Sequence, residues 1–365
     1  MNHQLAIIGQ NYVVSWFAIF SFLGCLAGCL TACILRKTQK RNVSDVFIVT
    51  TFAIPFGLIF GRIFYCLFAA SEYSTVWQML QLQVGGYGLF GAILGVYLAA
   101  LLSRILFGIQ GWGELLDCLA IGGALAITAG RFASHFAGVE LGYEVPFELL
   151  TVYNPEEDLH VLAVYWLDGI YEAAVMLLGL FFYCNVRKKG EKESSGGLTA
   201  MLMLALHGTN AVIMESMRAD ALKLGANDFI KVSQILGITC CVVVVVAFII
   251  LTARRRGFRL ADAVTILVII ACIVLGVYAE WRVGKGDYIR KHVLMFVSMA
   301  ILGAVTMHYG VNASVPGERK VTAQERQSVK TGKKNTRSAK RDYRISQKDA
   351  DLIIAAFKDP KRSEI

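Results

Sequence analysis

The stretch VSQILGITCCVVVVVAFIILTARRR, residues 232–256, contains no charged side chain before Arg254. An uncharged apolar run of this length matches the hydrocarbon core of a bilayer, which about 20 helical residues cross. Similar runs recur along the chain, and together they predict nine spans, near residues 12–35, 46–70, 84–107, 114–136, 161–186, 197–217, 230–252, 260–280 and 291–310. Because a sheet cannot cross a bilayer without closing on itself, the sequence predicts an all-α, polytopic transmembrane helix bundle.

The composition of the 365-residue chain supports this fold class. Apolar residues make up 56% and charged residues 17%, and the mean hydropathy is +0.56. These values exclude a disordered chain and a secreted disulfide scaffold. The nine cysteines show neither a CxxC nor a zinc-type spacing, so the sequence predicts no metal site and no cofactor.

The chain divides into three predicted segments: a bundle over residues 1–252, two additional spans over 253–310, and a basic tail over 311–365. The tail holds 14 Lys/Arg and 7 Asp/Glu, and so accounts for most of the formal net charge of +9. We expect it to be largely disordered and to contact anionic lipid of the inner leaflet, or else to extend as a solvated segment. No nucleic-acid motif accompanies it, so we expect no nucleic-acid partner.

The distribution of Lys and Arg predicts the orientation of the bundle, because cytoplasmic loops carry an excess of these residues. Basic residues concentrate in alternate connections, around residues 36–41, 104, 187–192 and 254–259. The intervening loops 71–83 and 137–160 contain none. We therefore expect the N-terminus outside, the C-terminus in the cytoplasm, and the acidic loop 137–160 as an arm or lid over the outer surface.

Ionisable residues inside predicted spans are candidates for function, since a charge in the bilayer core costs at least a few kcal/mol. They fall in four spans, at the level of the outer leaflet. They are Arg62, Arg131, His135, Asp168, Glu172, His207, Glu215 and Arg218. A cluster of charged side chains at this level suits a binding site for a charged lipid headgroup. The alternatives for each residue are an interhelical hydrogen bond, or a side chain that extends to the membrane interface.

Four segments carry a resemblance to a known family. They are GGYGLFGAILG (85–95), AGRFASHFAGVELG (129–142), IYEAA (170–174) and HGTNAVIMESMRAD (207–220). In this order and with spans between them, they resemble the characteristic segments of the prolipoprotein diacylglyceryl transferases. The resemblance covers about residues 5–252 and leaves out the last two spans and the tail.

The resemblance implies a reaction, its partners and a membrane. The family transfers a diacylglyceryl group from phosphatidylglycerol to the lipobox cysteine of a lipoprotein precursor, at the outer face of the bacterial plasma membrane. The matching positions are expected to bind substrate; they are Arg131, Arg62, Tyr171, Glu172, Arg218, Gly138 and Gly142. An arginine suits the lipid phosphate because its planar donors match phosphate oxygens bidentately.

Several family residues are replaced in this chain. The family's histidine falls on Phe90, its asparagine on Ser134, its sixth-span arginine on Ala211 and its N-terminal tyrosine on Phe17. The signature glutamate falls on Val139, unless a one-residue shift brings in Glu140.

These replacements leave two functions open. Catalysis would need a proton acceptor for the cysteine thiol other than residue 90, and His135 or His207 could supply it, since imidazole titrates near pH 6.5. Glu215 could orient Arg131 or His207. The alternative is a non-catalytic lipid-binding or chaperone-like membrane protein that retains the fold.

Overall fold

The computed structural model describes residues 4–8, 12–70, 73–81, 85–154, 158–189, 196–224, 231–283 and 288–314. The predicted tail, from residue 315 onward, lies outside the described residues, and its contact with lipid stays a prediction. The helices are α1 (Trp16–Thr38), α2 (Ser44–Phe68), α3 (Val76–Leu80), α4 (Leu89–Phe107), α5 (Trp112–Ala137), α6 (Val164–Lys189), α7 (Leu198–Met217), α8 (Val232–Arg256), α9 (Leu260–Val283) and α10 (Tyr288–Ser314).

The predicted all-α polytopic bundle is confirmed. Among the described residues, nine helices are long and apolar enough to cross a membrane, and they correspond one for one to the nine predicted spans. The short helix α3 was not predicted, because five residues are too few to show a helical period.

Close helix pairs depend on glycine at the crossing points. A Cβ on Gly28 of α1 would lie 3.1 Å from the carbonyl carbon of Gly122 on α5. A Cβ on Gly208 of α7 would lie 3.2 Å from the carbonyl carbon of Gly237 on α8. Apolar side chains gain little from leaving lipid, so this close backbone approach supplies much of the packing that holds such helices together.

The helix α7 is the most enclosed of the nine spans. It packs against α5, α6, α8 and α10, and a larger share of its apolar stretch is buried than in any other described span. A helix surrounded by other helices can carry polar side chains away from lipid, provided that they find partners within the bundle.

Two small antiparallel sheets lie outside the helices. The strands β1 (Gln4–Ile8) and β2 (Tyr12–Ser15) pair before α1. The strands β3 (Leu141–Glu144), β4 (Thr151–Asn154) and β5 (Leu159–Ala163) form a three-stranded sheet in the order β3-β5-β4. This second sheet occupies the loop predicted as an arm, between α5 and α6. Its strand β3 also pairs with the end of α7, where Gly142 bridges to Arg218.

At the opposite end of the bundle, Asp262 in the first turn of α9 connects three helices. Its Oδ1 accepts hydrogen bonds from Arg256 of α8 and from the Tyr309 hydroxyl of α10, both at 2.6 Å. The backbone N–H of Arg259 donates to Oδ2 at 2.8 Å. These contacts tie the two additional helices, α9 and α10, to α8.

Candidate active site

Arg131, near the C-terminal end of α5, is held between two carboxylates. Its guanidinium is ion-paired with Glu140, and its Nε lies 2.9 Å from Asp168 Oδ2 of α6. The Arg131 side chain is 17% exposed, so these pairs are largely shielded from solvent. A guanidinium has five N–H donors in one plane, so it can hold a carboxylate and still bind a further anion.

The Glu140 carboxylate reaches Arg131 because the chain reverses sharply after α5. Gly138 has a φ of 64° and Glu140 has a φ of 62°, both in the left-handed region. That conformation costs a residue other than glycine of order 1–3 kcal/mol and persists where the surroundings enforce it. Val139, between the two, is 44% exposed. Glu140, and not Val139, therefore faces the signature arginine.

Arg218, the residue that follows α7, is a second cation beside the same carboxylate. Its Nη1 lies 3.7 Å from Glu140 Oε1 and 3.7 Å from Glu215 Oε2, and its Nε lies 3.0 Å from Asp220. The antiparallel bridge between Gly142 and Arg218 fixes this end of α7 against β3. Glu140 is therefore flanked by two guanidinium groups that come from different helices.

Next to Arg131 lies a network of buried polar side chains from α6 and α7. His207 Nδ1 lies 2.6 Å from Glu172 Oε1, and the Asn210 amide donates to Glu172 at 2.7 Å and to Asp168 at 2.6 Å. All of these side chains are buried. Since Asp168 also pairs with Arg131, the network connects the arginine of α5 with the histidine of α7.

Three atoms of the His207, Glu172 and Asn210 side chains are buried and have no hydrogen-bond partner among the described residues: His207 Nε2, Glu172 Oε2 and Asn210 Oδ1. Buried polar atoms normally find partners, so these three atoms are available to a further polar group. If His207 donates from Nδ1 to Glu172, its Nε2 is left as a proton acceptor.

His207 also touches the position where the resembling family has its histidine. The Phe90 ring at the start of α4 lies 5.4 Å from the His207 ring, measured between centroids. An imidazole from α7 therefore occupies the space next to residue 90.

The other predicted catalytic residues lie near this cluster but have different partners. Among the described contacts, Glu215 pairs with Arg218, and not with Arg131 or His207. His135 shares α5 with Arg131, but its Nδ1 lies 2.9 Å from the Tyr165 hydroxyl, among aromatic rings.

Two predicted binding residues have contacts of a structural kind. The hydroxyl of Tyr171 shares a hydrogen bond of 3.1 Å with Thr209 of α7. Arg62 is 3% exposed and donates to backbone carbonyls within the connection between α2 and α4. Its acceptors are the carbonyls of Gln78, Met79, Gly85 and Gly86. Arg62 thus fastens the segment that leads into α4 and Phe90.

The two predicted glycines shape the backbone of the site. Gly138 supplies the left-handed turn that ends α5. A Cβ on Gly142 would lie 2.7 Å from the Met217 carbonyl oxygen and 2.9 Å from Val164 Cγ2, so only glycine lets β3 approach the end of α7 this closely.

Asn210 was not predicted as a site residue, although the sequence contains a signal for it. Asn210 lies three residues after His207 and so falls on nearly the same face of α7. A carboxamide on the polar face of a membrane helix is expected to seek a partner across the bundle.

The fold and the polar cluster agree with the sequence comparisons. Residues 4–252 match the family model described as "Prolipoprotein diacylglyceryl transferase". The chain belongs to the prolipoprotein diacylglyceryl transferase family. The match ends within α8, so α9 and α10 lie beyond it.

Curated relatives carry the transferase name at low identity. A phosphatidylglycerol–prolipoprotein diacylglyceryl transferase 1 of Clostridium perfringens is 23% identical over 266 residues, covering 71% of this chain and 98% of the relative. The phosphatidylglycerol–prolipoprotein diacylglyceryl transferase of Bacillus velezensis is 26% identical over 267 residues, covering 68% and 92%. This chain is similar to these transferases and is a divergent member of their family.

Proposed function

We propose that this protein transfers a diacylglyceryl group from phosphatidylglycerol to the lipobox cysteine of a lipoprotein precursor, at the outer face of a bacterial plasma membrane. The observation that carries the proposal is the arrangement of Arg131 and Arg218 on either side of Glu140, with His207 and its unpaired Nε2 behind them. Family membership and the names of the relatives support the same reaction.

The two arginines suit the lipid phosphate. A phosphodiester carries one negative charge, and two guanidinium groups offer it planar, bidentate donors. Glu140 neutralises these cations while no lipid is bound, and the arriving phosphate competes with it for Arg131 and Arg218. The same donors stabilise the charge that develops on the phosphate as the bond to it breaks.

His207 suits the thiol. The cysteine proton passes to His207 Nε2, while Glu172 at Nδ1 orients the ring and stabilises the imidazolium that forms. The sulfur then forms a bond to the terminal glyceryl carbon of the diacylglyceryl group. The bond from that carbon to the phosphate oxygen breaks, and glycerol phosphate leaves with the electron pair. No metal takes part in this scheme.

A second function has its own support. The replacements at Phe90 and Ala211 remove polar groups that the family pattern contains, and they favour a lipid-binding protein without turnover.

A direct assay separates the two functions. Purified protein in phosphatidylglycerol vesicles is incubated with a lipobox peptide, and glycerol phosphate release is measured together with the mass of the peptide. Transfer adds one diacylglyceryl group to the cysteine for each glycerol phosphate released. Lipid binding without either product would refute the transferase proposal and support the second function.

A further inference from the structure

The additional helix α9 places a carboxylate behind the candidate active site. Glu280, near the C-terminal end of α9, lies 3.5 Å through its Oε1 from Lys231 Nζ. Its Oε2 accepts a hydrogen bond of 3.0 Å from Gln234 of α8. The family match ends at residue 252, so Glu280 belongs to a part of the chain outside that match.

Lys231 in turn holds the end of α7. Its ammonium is buried and donates to the backbone carbonyls of Glu215 at 2.7 Å and Ser216 at 3.2 Å. These carbonyls belong to the last turn of α7, where a helix carries a partial negative charge and attracts a cation. The turn that Lys231 holds is the one from which Glu215 and Arg218 extend.

Glu280 determines which groups the Lys231 ammonium contacts. A buried ammonium without a counter-ion would be attracted to the nearest carboxylate, which on α7 is Glu215. An ion pair between Lys231 and Glu215 would draw the Glu215 carboxylate away from Arg218. In the structure, Glu215 Oε2 lies 3.7 Å from Arg218 Nη1. With Glu280 as its counter-ion, Lys231 stays on the carbonyls and Glu215 stays available to Arg218.

We propose that Glu280 is a positioning residue: it holds Lys231 on the carbonyl end of α7 and so keeps Glu215 and Arg218 arranged for the lipid phosphate. The proposal rests on the phosphate-binding role of Arg131 and Arg218 given above. It assigns to the additional helix α9 a part in substrate binding.

The test compares two matched substitutions on α9. Glu280→Gln removes the charge next to Lys231, and Asp262→Asn removes the carboxylate that ties α9 to its neighbours at the other end of the bundle. For Glu280→Gln we expect the KM for phosphatidylglycerol to rise about tenfold, which corresponds to roughly 1.4 kcal/mol, with kcat within about twofold. Glu280→Asp retains the charge and should raise the KM by less than about threefold.

The direction of the change separates positioning from a simple charge effect. Removing a negative charge near an anion site strengthens the attraction for an anion, whereas loss of positioning weakens it. Tighter phosphatidylglycerol binding by Glu280→Gln would therefore overturn the proposal. An equal rise in the KM of Asp262→Asn would also overturn it, because α9 would then act only as a scaffold.

Measuring the binding of the protein to phosphatidylglycerol nanodiscs separates the role proposed for Glu280 from the transferase function on which it rests. If the unmodified protein binds the lipid but never transfers it, the transferase proposal fails, and weaker binding by Glu280→Gln still supports the role of Glu280. If the unmodified protein transfers and Glu280→Gln matches it in binding and rate, only the role of Glu280 fails. Should Glu280→Gln not fold, Gln234→Leu removes the hydrogen bond that holds Glu280, and the KM should change in the same direction.

Discussion

The rings of His207 and Phe90 lie 5.4 Å apart, so α7 places an imidazole beside the position where α4 would carry the family's histidine. The two positions are far apart in the chain, and only the tertiary structure brings the start of α4 next to His207 of α7. His207 is also hydrogen-bonded to Glu172, whereas His135 is bonded to Tyr165. Between the two histidines that the sequence left open, this geometry favours His207 as the base.

Replacing His207 by glutamine tests this role. Glutamine can keep the hydrogen bond to Glu172 but cannot accept the thiol proton. We expect the transfer rate to fall about 100-fold, a usual loss for a general base, with phosphatidylglycerol binding within about twofold. His135→Gln is the matched comparison and should cost much less. If it costs as much while His207→Gln remains active, the base has been assigned to the wrong helix.

Arg131 should not tolerate lysine. A lysine keeps the positive charge but lacks the planar donors that reach Glu140, Asp168 and a phosphate together. We expect Arg131→Lys and Arg131→Ala each to lower kcat/KM about 100-fold, as for loss of one partner in a buried charged hydrogen-bond network. Arg104→Lys, at an exposed position in the last turn of α4, is the control. Full activity of Arg131→Ala would remove the proposed headgroup site.

The Glu140 carboxylate should stabilise the lipid-free protein. Glu140→Gln leaves Arg131 and Arg218 close together without their shared counter-ion, so the free energy of unfolding should fall by about 2 kcal/mol. A melting temperature lower by about 4 °C is expected, and phosphatidylglycerol should raise it more than in the unmodified protein. Glu144→Gln, at an exposed position of β3, is the control. An identical lipid response in both variants would argue against competition between Glu140 and the phosphate.

A methyl group at Gly142 should separate β3 from α7. The added Cβ would meet the Met217 carbonyl oxygen at 2.7 Å and displace Arg218, which Gly142 pairs with. We expect Gly142→Ala to lower kcat/KM at least about tenfold, which corresponds to roughly 1.4 kcal/mol. Gly123→Ala is the control, since nothing lies within 4 Å of a Cβ built there. Equal activity of the two variants would show that the close approach of β3 is not needed.

The orientation of the bundle can be measured directly. Epitope tags inserted after Glu148 in the arm and after Ile365 at the C-terminus should be accessible from opposite sides of the membrane. The loop charges predict that the arm is outside and the tail inside. A tail found outside would place the polar cluster at the cytoplasmic face, where secreted lipoprotein precursors are not the expected substrate.

The sequence by itself determined the number of membrane helices and their approximate positions. Each span is long and apolar, and a helix in lipid must satisfy its own backbone hydrogen bonds, so a run such as 232–253 has few other conformations available. The same local argument identified Arg131, Glu172, His207, Glu215 and Arg218 as candidates, because charges are rare in such runs.

Which side chains pair with which was decided only by the tertiary structure. Hydropathy does not show which helices are neighbours, and it did not indicate that Asn210 links Glu172 with Asp168, or that Arg62 binds loop carbonyls. The choice between Val139 and Glu140 depended on a left-handed turn after α5, which no periodic pattern reveals. The link from Glu280 to Lys231 joins helices whose contact is set by long-range packing, and local sequence carries little information about packing of that kind.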